Sequence, residues 1–223
     1  MNLRKMILED ATLIRRQQEW KKYRDDTWVV NARPLAERIF QEAAKHLTDS
    51  NHPLKAWVVK DRPSESEELV MLRLASHKLP IEHEGNKWVL EKGACLSVSK
   101  QAEGRVIVVL YPYSSEVRYH RQKEFMLTGP IEPMKLTERM LHAHLKELLF
   151  LANVTSIKAG AGSLVSNKTF RMRRLILKDF RNRQDLLRTS SKAALRQLYG
   201  KAVSLLFTAA VVSLAWIVGL VWY

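Results

Sequence analysis

A segment that follows a strongly apolar run has the residue types of a ligand-binding loop. It brings together two phenols, two hydroxyls and a carboxylate, from Tyr111, Tyr113, Ser114, Ser115 and Glu116. Polar groups at the end of a strand can converge on a ligand, because a rigid sheet positions the loop that carries them. The sequence therefore predicts ligand contacts here, and an ordinary hairpin connection is the alternative.

Two other patterns resemble chemical sites but fail on spacing. Gly162–Thr169 comes close to a phosphate-binding P-loop, but Asn167 stands where the second glycine is needed for close approach to phosphate. His142 and His144 lie two residues apart in a predicted helix, which points their rings about 200° apart and prevents chelation of one ion. The sequence thus assigns no catalytic residue, no metal ligand and no cofactor.

The single cysteine, Cys95, limits the redox chemistry of the chain. One cysteine forms no internal disulfide and supplies no thiolate cluster for a structural metal, so a reducing compartment is expected. Cys95 also has no identifiable histidine partner. It is interpreted as a small buried residue.

Most of the net charge of +14 lies near the C-terminal end. Lys168–Lys201 contains eleven Lys or Arg and two acids, a net charge of +9. These side chains fit lipid or nucleic-acid phosphates, and the adjoining apolar segment favours anionic lipid over nucleic acid. The predicted contact residues are Arg171, Arg173, Arg174, Arg181, Arg183, Arg188, Lys192, Arg196 and Lys201.

Residues 202–223 are expected to form a C-terminal transmembrane anchor. The segment has no charged residue, Pro, Asn or Gln, and as a helix it would span about 33 Å, enough for a bilayer core. The basic flank before it predicts a cytoplasmic N-terminal domain by the positive-inside rule. The N-terminus does not have the pattern of a signal peptide.

Small residues in the predicted anchor favour contact between helices. Ala215 and Gly219 form a small-x-x-x-small pair, and Ser204 and Thr208 fall near the same face. Such a face lets two membrane helices approach closely. A homo-oligomer is therefore expected.

The elements before the anchor predict an α+β fold. Helical periodicity marks a segment from Leu8 to Tyr23 and a second helix that starts at the N-cap Asn31. Period-two segments follow, predicting an antiparallel sheet of about five to six strands with 106–111 as its central strand, and a third helix begins near Thr137. The predicted organisation is a helical segment 1–53, a cytoplasmic α+β domain 54–157, a loop and basic amphipathic helix 158–201, and the anchor 202–223.

These features predict a non-enzymatic, membrane-anchored binding or sensing protein that self-associates at an anionic bilayer. The alternatives are an anchored enzyme that acts on nucleotides or nucleic acid and a scaffold that recruits an unspecified cytoplasmic protein. In architecture alone, a small cytoplasmic α+β sensing module with a membrane segment resembles effectors of bacterial antiviral systems, in which ligand binding drives membrane disruption.

Overall fold

The structure is a computed structural model that describes residues 3–60, 68–83, 87–116, 123–157 and 168–185. Its α-helices are α1 (Leu3–Thr27), α2 (Arg33–Asp49), α3 (Glu138–Thr155) and α4 (Lys168–Lys178). Its strands are β1 (Ala56–Lys60), β2 (Glu68–Leu74), β3 (His77–His83), β4 (Lys87–Glu91), β5 (Cys95–Lys100), β6 (Val106–Tyr111) and β7 (Phe125–Ile131). The predicted α+β class is confirmed.

Five of the strands form one antiparallel sheet in the order β1-β2-β5-β6-β7, and β3 pairs with β4 in a separate hairpin. The predicted antiparallel sheet is confirmed, but the predicted centre is wrong by one strand. Because β3 and β4 pair with each other, β5 returns beside β2 and takes the central position. His77 and His83 begin and end β3.

One face of this sheet is covered by α2 and α3. Alternate residues of the three inner strands point to that face and are fully or almost fully buried: Val70, Leu72, Leu96, Val98, Val108 and Leu110. Ile39 and Phe40 of α2 and Leu141 and Leu148 of α3 belong to the same core. This burial is the main apolar stabilisation of the domain.

A π-helical turn, Trp28–Ala32, joins α1 to α2 without a break. The prediction that Asn31 caps a new helix is therefore wrong: Asn31 lies inside the turn, and its Nδ2 donates to Met134 Sδ at 3.4 Å. A π turn takes in one extra residue, which changes the phase of the helix. Trp28 and Ala32 are consequently both buried in the core.

The predicted start of α3 is confirmed, because Thr137 is its N-cap and accepts a hydrogen bond from Met140 N at 3.3 Å. Contacts divide the chain into two compact units, Met1–Phe180 and Arg181–Tyr223. Residues 181–185 of the second unit are helical. Within the described ranges no helix has the length and apolarity to cross a bilayer, and the predicted anchor lies outside those ranges.

Candidate binding cleft at the base of the first helix

A large cavity that is open to solvent lies beside the last third of α1. This base cleft has a volume of about 890 Å³. One wall is α1 from Gln17 to Arg24, and the other is formed by the β5–β6 turn and a short 3-10 helix, Pro133–Lys135, before α3. The volume is within the range of ligand-binding clefts.

Arg24 fixes the base of α1 to the sheet domain. Its Nε donates to Glu132 Oε2 at 2.8 Å and its Nη2 donates to Glu132 Oε1 at 3.0 Å, while Nη1 donates to the Glu103 carbonyl oxygen at 3.4 Å. The hydrogen bond from Arg24 holds the pKa of Glu132 below its ordinary value. This two-point contact fixes the orientation as well as the position of the side chains.

Gly104 lets the β5–β6 turn approach α1 closely. Its φ of +77° is a left-handed conformation, and a Cβ on it would lie 2.7 Å from Arg24 Cβ. Beside it, Lys100 Nζ lies 3.0 Å from Asp25 Oδ1. The turn therefore needs glycine both for its backbone conformation and for the space against the helix.

Aromatic and apolar side chains line the mouth of the base cleft. The rings of Trp20 and Tyr23 meet edge to face with centroids 6.0 Å apart, and the two residues are 57% and 50% exposed. Pro133 and Met134 lie in the opposite wall, and Met134 is also exposed. Exposed aromatic side chains next to a cleft are typical anchors for a bound partner.

The charges of the lining leave a cationic excess. Arg24 and Glu132 compensate each other, whereas Lys21, Arg105 and Lys135 face one remaining carboxylate, that of Glu103. Arg105 Nε also lies 3.8 Å from Glu132 Oε1. The cleft thus suits an apolar group that carries or adjoins negative charge.

Most of α1 beyond the cleft is exposed to solvent. Along the described part of the chain, its base contacts the π turn, the 3-10 helix, and the end of β5 with the turn that follows. Large apolar side chains are exposed along its whole length: Leu3, Met6, Ile7, Leu8, Leu13, Ile14, Trp20 and Tyr23. An exposed apolar surface of this extent marks an interaction site.

The predicted ligand loop does not gather around one cavity. Tyr113 is fully buried: its hydroxyl donates to the Ala75 carbonyl oxygen at 2.9 Å, and its ring stacks on His77 with centroids 5.6 Å apart. Burial raises the pKa of Tyr113, with a smaller contribution from Glu91. Its backbone N donates to Thr155 Oγ1 at 3.1 Å. This residue joins the loop to the core.

The other members of that loop point elsewhere. Tyr111 lines a groove of about 600 Å³ on the face of the sheet opposite α2 and α3, and burial raises its pKa. Ser114 pairs with Lys92 through two backbone hydrogen bonds of 2.8 and 3.2 Å. Ser115 is half-buried and Glu116 is exposed. Ligand binding by these residues stays a prediction.

A buried carboxylate nearby holds the end of α3. Glu91 is 1% exposed and accepts hydrogen bonds from Ser156 Oγ at 2.9 Å and Ile157 N at 2.6 Å. Backbone and hydroxyl donors satisfy such a carboxylate without a cation. Glu91 therefore fixes the chain where α3 ends.

The two histidines of α3 lie in different surroundings. His142 lines a groove between α2 and α3, whereas His144 is half-buried near Glu147 and Lys178. Burial lowers the pKa of His144 to about 4, and its Nε2 has no hydrogen-bond partner. No group of three metal-ligating side chains occurs in the residues that the structure describes.

The predicted phosphate contacts are described in part. Arg171, Arg173 and Arg174 are exposed on α4, which packs through buried Leu175, and the Arg171 guanidinium lies 4.0 Å from the centroid of the Phe150 ring. Arg181 and Arg183 are exposed on residues 181–185. The rest of this set lies outside the described residues, as do the predicted helix contacts: Arg188, Lys192, Arg196, Lys201, Ser204, Thr208, Ala215 and Gly219.

Cys95 is buried, and burial raises its thiol pKa to about 11, which keeps the reactive thiolate scarce at neutral pH.

No protein-family profile, curated protein or solved structure matches the chain. The sequence predicts a helix from Leu8 to Tyr23, which includes Trp20, but it does not predict the base cleft. Its determining contact joins Arg24 to Glu132, and no local pattern marks a pair 108 residues apart.

Proposed function

We propose that this chain is a non-enzymatic, membrane-anchored binding protein that assembles with other copies at the bilayer. The observation that carries the proposal is the exposed apolar surface of α1. It includes Trp20 and Tyr23 at the mouth of the base cleft. Burying such side chains in an assembly removes them from water, which favours association.

The pKa shifts in the folded domain agree with a binding role. The hydrogen bond from Arg24 lowers the pKa of Glu132, and burial raises the pKa of Cys95 and of Tyr113, with a smaller contribution from Glu91 at Tyr113. Each of these shifts follows from packing or pairing. A catalytic site would instead be expected to bring shifted groups together around one cavity.

The C-terminal sequence supports attachment of the chain to a bilayer. Residues 202–223 have the length and apolarity of a membrane helix, and basic residues precede them. Attachment to a membrane confines copies to two dimensions, which raises their effective concentration. Weak contacts between folded domains then suffice for assembly.

A scaffold that recruits a different protein is the second candidate, because the same exposed helix supports it. The two differ in what covers α1. An assembly of copies needs no other protein, whereas a scaffold stays monomeric until its partner is added.

The test is native mass spectrometry of the full-length chain, extracted with detergent from carbonate-washed membranes. The proposal expects the protein in the washed membrane and a mass of two or more copies. A variant that lacks residues 202–223 serves as control and should appear in the soluble fraction. A full-length protein found in the soluble fraction would contradict the membrane role, and a strictly monomeric one would favour the scaffold.

A further inference from the structure

We propose that two copies of this chain pair through α1 in antiparallel orientation, so that Met6, Leu13 and Trp20 of one helix pack against Trp20, Leu13 and Met6 of the other. This inference rests on the proposed self-assembly and specifies its contact surface. A single twofold axis near Leu13 would relate the copies, and the pairing would close on itself as a dimer.

One row of apolar side chains along α1 supplies the seam. Met6, Leu13 and Trp20 follow one another at intervals of seven residues, and all three are exposed. Residues seven apart occupy one of the two seam positions of paired helices, and Leu3, Asp10 and Gln17 occupy the other. Leu13 is equally distant from the other two, so a contact centred on it places Met6 of one copy opposite Trp20 of its partner.

The charges beside the row favour antiparallel pairing. Glu9 and Arg16 are also seven residues apart and lie on one side of the row, so antiparallel pairing brings Glu9 of each copy to Arg16 of the other. Glu9 has only a weak competing contact, with Lys5 at 3.9 Å on an exposed surface. The dimer would thus gain two opposite-charge contacts.

Parallel pairing would bring like charges together. Asp10 would face Asp10 in the seam, and Arg16 would approach Lys21 of the partner across the flank. Both contacts are repulsive, and the first would be partly removed from water. The same residues therefore select the antiparallel orientation over the parallel one.

The ends of the paired helices lie at the mouths of the two base clefts. Leu3 and Tyr23 are each ten residues from Leu13, so the first turn of one helix reaches Tyr23 and Trp20 of its partner. There the partner's Leu3 and Met6 would meet the exposed apolar wall at Met134. The contact would extend along about 30 Å of helix and end at the mouth of the base cleft.

Cysteine crosslinking tests the orientation in membranes. Two differently tagged full-length chains are co-expressed, one with Asp10→Cys and one with Gln17→Cys, which antiparallel pairing places side by side. Cys95 stays in both, because its thiol is buried. After the isolated membranes are oxidised with copper phenanthroline, we expect a disulfide between the two differently tagged chains and little self-crosslinking of Asp10→Cys, whereas a self-crosslinked Asp10→Cys dimer would overturn the orientation.

Matched lysine substitutions test the surface. Leu13→Lys places two charges at the centre of the seam and should weaken the mixed crosslink at least about tenfold. Leu8→Lys adds the same charge to an exposed leucine outside the row and should leave it unchanged. Equal effects of the two variants, or no effect of Leu13→Lys, would overturn the inference.

The outcomes separate this inference from the proposed function. An oligomer in native mass spectrometry without the mixed crosslink would place self-association elsewhere in the chain and reject the α1 dimer alone. A strictly monomeric membrane protein would reject both. A monomer whose α1 becomes protected only when a second protein is added would assign α1 to a different partner.

Discussion

Arg24 and Glu132 join the base of α1 to the segment before α3 through two parallel hydrogen bonds, of 2.8 and 3.0 Å, between residues 108 positions apart. Both side chains are less than one third exposed. Beyond this contact α1 leaves the sheet domain and the base cleft opens. The pair therefore fixes the direction of the helix as well as its attachment.

Breaking this pair should loosen α1. Arg24→Gln or Glu132→Gln leaves one partly buried charge without its partner, and each is expected to lower the free energy of unfolding by about 1 kcal/mol or more. Thermal or chemical denaturation measures the effect. The double substitution should cost less than the sum of the two, which a double-mutant cycle would show.

Lys5→Gln is the control for that cycle. It removes the exposed Lys5–Glu9 pair, whose closest atoms are 3.9 Å apart, and should leave stability unchanged. Additive effects of Arg24→Gln and Glu132→Gln would mean that the pair does not stabilise the domain.

Gly104→Ala should also disturb the base of α1. The new Cβ would lie 2.7 Å from Arg24 Cβ, and alanine is strained at a φ of +77°. We expect a loss of about 1–2 kcal/mol in the free energy of unfolding and faster hydrogen exchange in the last turns of α1. Ala102→Ser, at an exposed position of the same turn, is the control. Unchanged exchange in α1 would show that the turn does not support the helix.

His144 should make stability depend on pH. Its folded pKa of about 4 lies below the unfolded value of 6.5, because burial disfavours the imidazolium, with nearby Lys178 adding to the effect and Glu147 opposing it. The unfolded chain therefore binds the proton first as the pH falls. The contribution is complete above about pH 6.5 and is lost as the pH falls towards 4, by at most about 3 kcal/mol.

Urea denaturation at several pH values measures this slope. His144→Gln should flatten the decrease between pH 6.5 and 4, while His142→Gln, at an exposed position of the same helix, should retain it. An identical slope in wild type and His144→Gln would assign the pH dependence to other groups.

The sequence predicted the features that depend on local patterns. Period-two alternation predicted an antiparallel sheet that includes 106–111, which the structure confirms, and Thr137 predicted the start of α3. Each of these signals is contained in a few neighbouring residues, whose side chains share a face or cap an end. These elements can therefore be predicted before the tertiary structure is known.

The features that were missed depend on distant contacts. Asn31 is a good cap in isolation, but burial of Trp28 and Ala32 favours a continuous helix through the π turn. His77–His83 contains Pro80, which disfavours a strand, yet the segment pairs with β4. The burial of Tyr113 against Ala75 and His77 also comes from the tertiary fold, and no local pattern in the sequence indicates it.

The basic residues before the predicted anchor should determine how strongly the protein binds anionic lipid and how it is oriented in the membrane. Replacing Arg188, Lys192, Arg196 and Lys201 by Gln should weaken binding to anionic vesicles, by about 1 kcal/mol for each residue near the surface. Vesicle co-sedimentation measures this loss, and protease protection reports the orientation. Gln at the exposed Lys45, Lys55, Lys92 and Lys146 of the folded domain is the control. Equal binding by both variants would remove the proposed role of this flank.

Single-molecule photobleaching of the fluorescently labelled full-length chain in native membrane vesicles tests membrane-bound self-assembly most directly. The account predicts spots that remain with the vesicles after carbonate washing and bleach in two or more steps. Deletion of residues 202–223 should remove the spots from the vesicles. Fluorescence that washes off the full-length sample, or spots that bleach in a single step after correction for labelling efficiency, would contradict the account.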